Sequence, residues 1–279
     1  MFAKKWFIVK NIALLYPFQS YKIVLKSMEV IILGCGFSLG CPVLACNCNV
    51  CTSNEKYNKR MRSAIIIRDH LSIILVDFGP DIKTQLLINN ISKLDAIICT
   101  HDHADHTSGI DELRIFGYNA QKPIPLYSTA ETSLSLQRKH GYLFRQDQGV
   151  GPFLEKVEIT TYDKIKINNI EIQLFDQIHG ENTSLGMRIN NFVYSNDITN
   201  FPENTLPFLK NIDCWVLDCV DYKNTSAHSG LEDVLAWRER FAPKQIYLTN
   251  LGHNLDYNKL LKELPKNVQP AYDGISVTI

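Results

Sequence analysis

The sequence lacks several features that mark whole classes of protein. No apolar run in its 279 residues is long enough to span a bilayer, and Lys plus Arg equal Asp plus Glu at 29 each. A zero net charge provides no global field to attract a polyanion, which argues against a long nucleic acid as partner. We find no GxGxxG spacing, no low-complexity tract and no linker-like stretch. A dinucleotide site and a division into several domains are therefore disfavoured.

The N-terminal region differs in composition from the rest of the chain. Its first 27 residues contain five lysines and no acidic residue, and they lack the small-residue cleavage site of a signal peptide. From Met28 onward the sequence EVIILGCG reads as a first core strand. We predict that residues 1–27 are an N-terminal extension, either untranslated or poorly ordered, and that residues 28–279 form a single domain with a sizeable core.

Cysteine is present in a pattern that does not suit a disulfide scaffold. Three of the eight cysteines crowd into ACNCNVC, as Cys46, Cys48 and Cys51. This crowding favours metal binding in a reducing compartment, so we predict a cytoplasmic protein. The spacing by itself supplies three metal ligands and leaves the fourth open.

The most informative stretch is ICTHDHADHT, residues 98–107, which holds three of the eight histidines just after an apolar run. His101 and His103 alternate at the end of a strand, so both imidazoles can face one side. The following turn can bring Asp105 and His106 round a second centre. Imidazole and carboxylate ligands suit Zn, Mn or Fe. The stretch predicts two adjacent metal positions; a solvated polar loop is the alternative.

The HxHxDH pattern is the signature of the metallo-β-lactamase superfamily, which residues 28–279 resemble. The resemblance implies an α/β fold, the αββα sandwich of two mixed β-sheets flanked by helices. It also implies later metal ligands at His179 in IHGENTSLG and at Asp197 in FVYSNDIT. Asp77 in LVDFG matches an aspartate that supports the histidine loop by hydrogen bonding, with a plain turn-forming role as the alternative.

Within the superfamily, the sequence resembles most strongly the cyclic phosphodiesterase of bacterial phosphonate breakdown and its related hydrolases. The glycine loop that runs into CxCxxC and the late segment LTNLGHNLDY carry this likeness. It implies a structural zinc bound by Cys46, Cys48, Cys51 and His253. One departure is Asn250, which stands where the relative has a histidine ligand of the second catalytic metal. A neutral amide is a weaker ligand, so we expect looser binding there or a harder ion such as Mn²⁺.

These ligands predict a metal-dependent hydrolase, because a pair of metal ions is typical of enzymes that activate water. We predict that Asp105 is both a metal ligand and a proton acceptor. The resemblance implies that His228, in SAHSGLEDVLAW, is a general acid or a phosphate contact. Arg114 and Tyr142 are candidate substrate contacts. Pairing of Arg114 with an acid on its own helix and core packing of Tyr142 are the alternatives.

The predicted substrate is a small phosphate ester, such as a nucleotide or a cyclic phosphate, cleaved by a phosphodiesterase. The predicted cofactors are two divalent metals in the active site, Zn²⁺ or Mn²⁺, and one structural Zn²⁺. Two alternatives stay open: a thioester or lactone hydrolase of the same fold, and a metal-stabilised binding module without catalysis. No membrane partner is expected, and the sequence allows a homodimer.

Overall fold

Two seven-stranded β-sheets pack face to face in the computed structural model, which describes residues 28–146 and 149–279. Helices flank the two sheets, which confirms the predicted αββα sandwich. The prediction for residues 1–27 lies outside the described residues, and that of a single domain stays a prediction. No helix within the described ranges combines the length and apolar character needed to cross a bilayer.

The strands follow the apolar and β-branched runs of the sequence. In chain order they are β1 (Glu29–Gly34), β2 (Ala64–Arg68), β3 (Ile73–Val76), β4 (Ala96–Ile98), β5 (Ile124–Thr129), β6 (Leu154–Ile159), β7 (Lys164–Ile167), β8 (Ile170–His179), β9 (Asn182–Ile189), β10 (Phe192–Ser195), β11 (Cys214–Asp218), β12 (Gln245–Thr249), β13 (Val268–Pro270) and β14 (Ile275–Thr278). The α-helices are α1 (Asn49–Thr52), α2 (Ile82–Ile88), α3 (Ala104–Thr107), α4 (Arg114–Ala120), α5 (Ala130–His140), α6 (Leu231–Phe241) and α7 (Tyr257–Glu263).

The two sheets have matching topologies. Their strand orders are β14-β1-β2-β3-β4-β5-β6 and β13-β12-β11-β10-β9-β8-β7. In the first sheet, neighbouring strands pair antiparallel from β14 through β1 and β2 to β3, and parallel from β3 to β6. In the second sheet, neighbouring strands pair antiparallel from β7 to β10 and parallel from β10 to β13. Parallel neighbours end at the same edge of a sheet, so each sheet gathers several strand ends in one place.

Burial on both faces explains why β1 to β4 of the first sheet read as continuous apolar runs. Val30 and Ile32 of β1 lie in the core between the sheets, while Ile31 and Leu33 pack with the side chains of α2 on the outer face. Each fully buried aliphatic side chain contributes about 1.5–3 kcal/mol relative to an exposed one. This core holds the strand ends, and the residues that follow them, in fixed positions.

Candidate metal centre and active site

The candidate site residues follow the ends of strands that have parallel neighbours. Asp77 follows β3, the loop from His101 follows β4, Asp197 follows β10 and Asn250 follows β12. The backbone is left-handed at Asp77, Asp197 and Asn250, with φ of 62°, 53° and 58°. Asp and Asn tolerate this conformation better than other side-chain-bearing residues. The chain therefore turns sharply at each strand end and presents a polar side chain there.

Asp77 supports the histidine loop, residues 101–107, through hydrogen bonds. It is fully buried. Its carboxylate accepts hydrogen bonds from the Thr100 backbone N–H at 2.8 Å and the Thr100 hydroxyl at 2.9 Å. It also lies 2.8 Å from His106 Nδ1, which therefore donates to it. This contact fixes the His106 tautomer and leaves Nε2 as the nitrogen available to a metal.

A first group of donors consists of His101, His103 and His179, each of which offers one ring nitrogen within 4.8 Å of those of the other two. His179 Nε2 lies 3.2 Å from His103 Nδ1, while His179 Nδ1 lies 2.6 Å from the Ala227 carbonyl oxygen. The buried His101 Nε2 makes no hydrogen bond within the described residues, although the Asp197 carboxylate lies 3.3 Å from it. Burial lowers the pKa of both His101 and His179 and favours the neutral, metal-binding form. Three imidazoles that converge in this way fit a divalent metal.

Asp197 joins this group to a second one. Its Oδ2 atom lies 3.3 Å from His101 Nε2 and 2.5 Å from His106 Nε2. Asp105 Oδ2 lies 3.4 Å from the same His106 nitrogen. Burial disfavours charge on His106 and Asp197, but their attraction prevails: the pKa of His106 lies well above its usual value and that of Asp197 well below. The arrangement can place one carboxylate between two metal positions.

Asn250 and His228 close the other side of Asp197. The Asn250 amide Nδ2 lies 2.7 Å from Asp197 Oδ1 and 3.1 Å from His228 Nδ1. His228 Nδ1 also lies 3.3 Å from Asp218 Oδ2. Burial opposes the charged imidazolium, but the carboxylates of Asp218 and Asp197 raise the pKa of His228 to about 9. His228 is thus positioned beside the donors rather than on a distant loop.

Asp218 is a residue that the sequence reasoning missed. It is fully buried as the last residue of β11, and its Oδ1 has no hydrogen-bond partner within the described ranges. Its Oδ2 accepts from the Ile198 backbone N–H at 3.1 Å and faces His228. An aspartate at a strand end, in LDCV, was the available signal, since Asp77 occupies the same kind of position in LVDFG.

The two candidate substrate contacts meet each other at Asp111. Arg114 lies 3.6 Å from the Asp111 carboxylate, and the Tyr142 hydroxyl donates to it. Both side chains are exposed. The pairing within the helical segment, which was the alternative for Arg114, is thus present. As substrate contacts the two residues stay predictions.

The cysteine cluster meets His253 as the resemblance implied. His253 Nδ1 lies 3.2 Å from Cys46 Sγ and 3.7 Å from each of Cys48 Sγ and Cys51 Sγ. The backbone N–H of Cys51 lowers the pKa of Cys48 to about 6, which favours the thiolate. Phe37 stacks on the His253 ring at 5.7 Å between centroids. Three thiols and one imidazole fit a closed, tetrahedral zinc site.

Comparisons with known proteins agree with this architecture. A family model described as the beta-lactamase superfamily domain matches residues 73–250. A new diphosphatase from the PhnP family, whose crystal structure is known, is 28% identical in sequence to this chain. The two structures superpose with a TM-score of 0.85 over 91% of this chain and 97% of the diphosphatase chain. Zn²⁺-bound PqqB from Methylobacterium extorquens, at 16% identity, shares the fold with a TM-score of 0.72 over 90% of this chain and all of its own.

A curated relative is the octanoyltransferase of Porphyromonas gingivalis, which is 28% identical over 256 residues. The match covers 90% of this chain but 52% of the relative, so the chain spans about half of that protein's length. The family model, by contrast, covers more than half of this chain. Together with the two mixed sheets and the histidine and aspartate donors at their strand ends, this match shows that the chain belongs to the metallo-β-lactamase superfamily, in its PhnP-like branch.

Proposed function

We propose that the protein is a metal-dependent phosphodiesterase that hydrolyses a small phosphate ester. The observation that carries the proposal is the position of His228, next to Asp197 and the histidine donors at one edge of the sandwich. Metal-dependent hydrolysis at phosphorus is favoured where metal ligands lie beside a group that can protonate a leaving oxygen. The likeness to a diphosphatase supports reaction at phosphorus.

The donors divide into two sets that share one carboxylate. We assign the first set to His101, His103, His179 and Asp197, and the second to Asp105, His106 and Asp197. Asn250, whose amide nitrogen faces Asp197, would serve as a weak additional ligand through its amide oxygen after the amide turns over. When bound, a pair of divalent metals polarises a phosphoryl oxygen and lowers the pKa of water to about 7. Zn²⁺ and Mn²⁺ both suit these donors, and Cys46, Cys48, Cys51 and His253 would hold a separate structural Zn²⁺.

Two side chains are positioned to accept and donate the protons of the hydrolysis, Asp105 and His228. Burial works against an ionised Asp105, but its contact with His106 lowers the pKa of the carboxyl, which is therefore a carboxylate at neutral pH and can accept a proton from the attacking water. His228 donates a proton to the leaving oxygen. Its Nδ1 faces the buried Asp218, so Nε2 is the nitrogen available for that transfer. The His228 side chain is 20% exposed, which leaves it accessible to a substrate.

A thioester hydrolase is the second candidate, because a relative that matches 90% of this chain bears the name octanoyltransferase. That relative is about twice as long as this chain. Acyl transfer, like thioester hydrolysis, proceeds through nucleophilic attack at a polarised carbonyl. The same donors could serve such a reaction, so substrate assays must separate the two candidates.

The test is hydrolysis of bis(p-nitrophenyl) phosphate by purified protein reconstituted separately with Zn²⁺ and Mn²⁺. We expect turnover with the native chain and a loss of about 100-fold or more in Asp105→Ala, since general acid–base groups contribute roughly 10²–10⁴-fold. Asp213→Ala is the matched control, because Asp213 precedes β11 at the opposite end from the site and pairs with Lys244 on the surface. An unchanged rate in Asp105→Ala, with fold and structural zinc retained, would contradict the proposal.

A further inference from the structure

A fourth cysteine lies against the candidate zinc ligands. Cys41 is 5% exposed and packs with Cys51 in a small buried cluster, which Cys46 and Cys48 border. Its thiol interacts with the Cys51 thiol. Among the described residues, the converging donors of this cluster are Cys46, Cys48, Cys51 and His253. Four ligands complete a tetrahedral zinc site, so Cys41 is a neighbouring thiol that the zinc does not need.

Backbone contacts hold the two cysteines beside each other. The Cys41 N–H donates to the Arg60 carbonyl oxygen at 2.8 Å, and the Arg60 N–H donates to the Cys41 carbonyl oxygen at 2.7 Å. Two residues further on, the Val43 N–H donates to Cys51 Sγ at 3.3 Å. The segment that carries Cys41 is thus fixed to the fold on one side and to the Cys51 sulfur on the other. A disulfide requires two cysteines that already lie close, and this arrangement provides them.

A cavity of about 450 Å³ gives small molecules a route to Cys41, which forms part of its wall. A peroxide molecule is little larger than a water molecule, which occupies about 30 Å³, so the volume does not limit its entry. Cys214 is similarly buried, at 7% exposure, and lines a separate cavity of about 420 Å³. No second cysteine belongs to the described wall of that cavity. A neighbouring thiol therefore distinguishes Cys41 from another buried but accessible cysteine.

We infer that Cys41 and Cys51 form a disulfide when the protein meets hydrogen peroxide, and that this bond releases the zinc held by the cysteine cluster. The inference concerns the zinc site and does not depend on the reaction at the histidine and aspartate donors. Disulfides that form transiently in response to an oxidant are typical of proteins from reducing compartments. Zinc binds the thiolate form of cysteine, so a sulfur engaged in a disulfide is lost as a ligand.

The chemistry uses peroxide as the oxidant and balances without another reactant. Cys51, which is deprotonated as a metal ligand, attacks one peroxide oxygen, the O–O bond breaks, and a sulfenic acid and a hydroxide ion result. The hydroxide ion takes a proton from solvent. The Cys41 sulfur then attacks the Cys51 sulfur, the S–O bond breaks, and the hydroxide leaves with the Cys41 proton as water. Each sulfur loses one electron and the peroxide gains two.

The test exposes the purified, zinc-loaded protein to hydrogen peroxide and then desalts it. Chymotrypsin cleaves after leucine, and cleavage after the exposed Leu44 separates Cys41 from Cys51. Mass spectrometry of the unreduced digest therefore identifies the disulfide, and inductively coupled plasma mass spectrometry counts the zinc that stays bound. We expect a disulfide between Cys41 and Cys51 together with the loss of one zinc per chain, and we expect a thiol reductant with added zinc to reverse both.

A variant separates this pair from general oxidation of the zinc ligands. Cys41→Ala removes the second thiol and none of the ligands, so it should bind zinc as the native chain does. It should lose zinc at least about tenfold more slowly in peroxide, because a neighbouring thiol reacts intramolecularly. Cys214→Ala is the matched control and should lose zinc at the native rate. If Cys41→Ala does not fold, Cys41→Ser, which keeps the side-chain size, gives the same comparison.

Three results would overturn the inference. The first is a native chain that keeps its zinc in peroxide. The second is a disulfide that joins Cys51 to Cys46 or Cys48 and leaves Cys41 reduced. The third is zinc loss from the Cys41 variant at the native rate.

Discussion

The carboxylate of Asp77 provides a direct test of how the fold supports the site. Asp77→Asn preserves side-chain size, and Asn tolerates the left-handed backbone at φ 62°. The change removes the charge and replaces one acceptor oxygen by an amide NH₂. Since Asp77 accepts from the Thr100 N–H, the Thr100 hydroxyl and His106 Nδ1, the asparagine must face at least one of these donors with a donor of its own.

The expected magnitude follows from burial. Removing one partner of a buried, hydrogen-bonded ion pair costs about 3–5 kcal/mol, and Asp77 and His106 are both buried. For a chain of this size each kcal/mol lowers Tm by about 2–4 °C, so we expect a loss of roughly 6–20 °C. Replacing such a partner of a metal ligand also lowers metal affinity about 10–100-fold. Urea unfolding followed by circular dichroism measures the first effect, and competition with a chelating dye measures the second.

A matched variant isolates the cause. Asp95 accepts from the Ile73 backbone N–H at 2.8 Å in the same sheet but has no contact with the histidine loop. Asp95→Asn should cost about 1 kcal/mol and leave metal affinity unchanged. If Asp77→Asn matched Asp95→Asn in both measurements, the assignment of Asp77 as the support of His106 would be refuted.

Three further predictions concern zinc, the second metal and pH. His253→Ala should lose one zinc per chain, as measured by mass spectrometry, and should have a Tm lower by about 10 °C or more. The control is His70→Ala, which replaces an exposed histidine and should change neither zinc content nor Tm. Zinc retained in His253→Ala would refute the Cys₃His site. Asn250→His should raise the Mn²⁺ or Zn²⁺ affinity of the second position about tenfold or more in titration calorimetry, and unaltered affinity would show that Asn250 is not the weak ligand. Burial raises the pKa of Asp273 from 3.8 to about 6, so its contribution to the unfolding free energy is complete below pH 3.8 and is lost as pH rises through 6. The loss of unfolding free energy is about 3 kcal/mol at 1.36 kcal/mol per pKa unit. Asp273→Asn should abolish this pH dependence when the unfolding free energy is measured by urea titration. If the unfolding free energy of Asp273→Asn fell with pH in parallel with that of the native chain, the assignment to Asp273 would be refuted.

The features that the sequence predicted depend on local patterns. The β-branched runs predicted β1 to β4 because burial on both faces demands apolar residues throughout. The spacing of His101, His103, Asp105 and His106 predicted adjacent donors because a strand end and a turn fix their directions over a few residues. The family resemblance then supplied His179 and Asp197, which no local pattern identifies as partners of the first cluster.

The features that the sequence did not predict depend on contacts between distant segments. The Ala227 carbonyl that faces His179 and the pairing of Asp218 with His228 exist only once β8 and β11 lie in one sheet. The strands β13 and β14 contain three and four residues, too few for a period to be recognised. A polar cleft beside His101 and His103 is likewise formed by residues of α5 and of the β8–β9 hairpin, which lie in different parts of the chain.

The central claim is hydrolysis at phosphorus, and one comparison tests it most directly. The metal-loaded protein would be given bis(p-nitrophenyl) phosphate and an octanoyl thioester in parallel, and kcat/KM would be measured for each. The account predicts that the phosphodiester is cleaved with the higher kcat/KM and that this activity is lost in Asp105→Ala. Cleavage of the thioester with no turnover of the phosphodiester would contradict it.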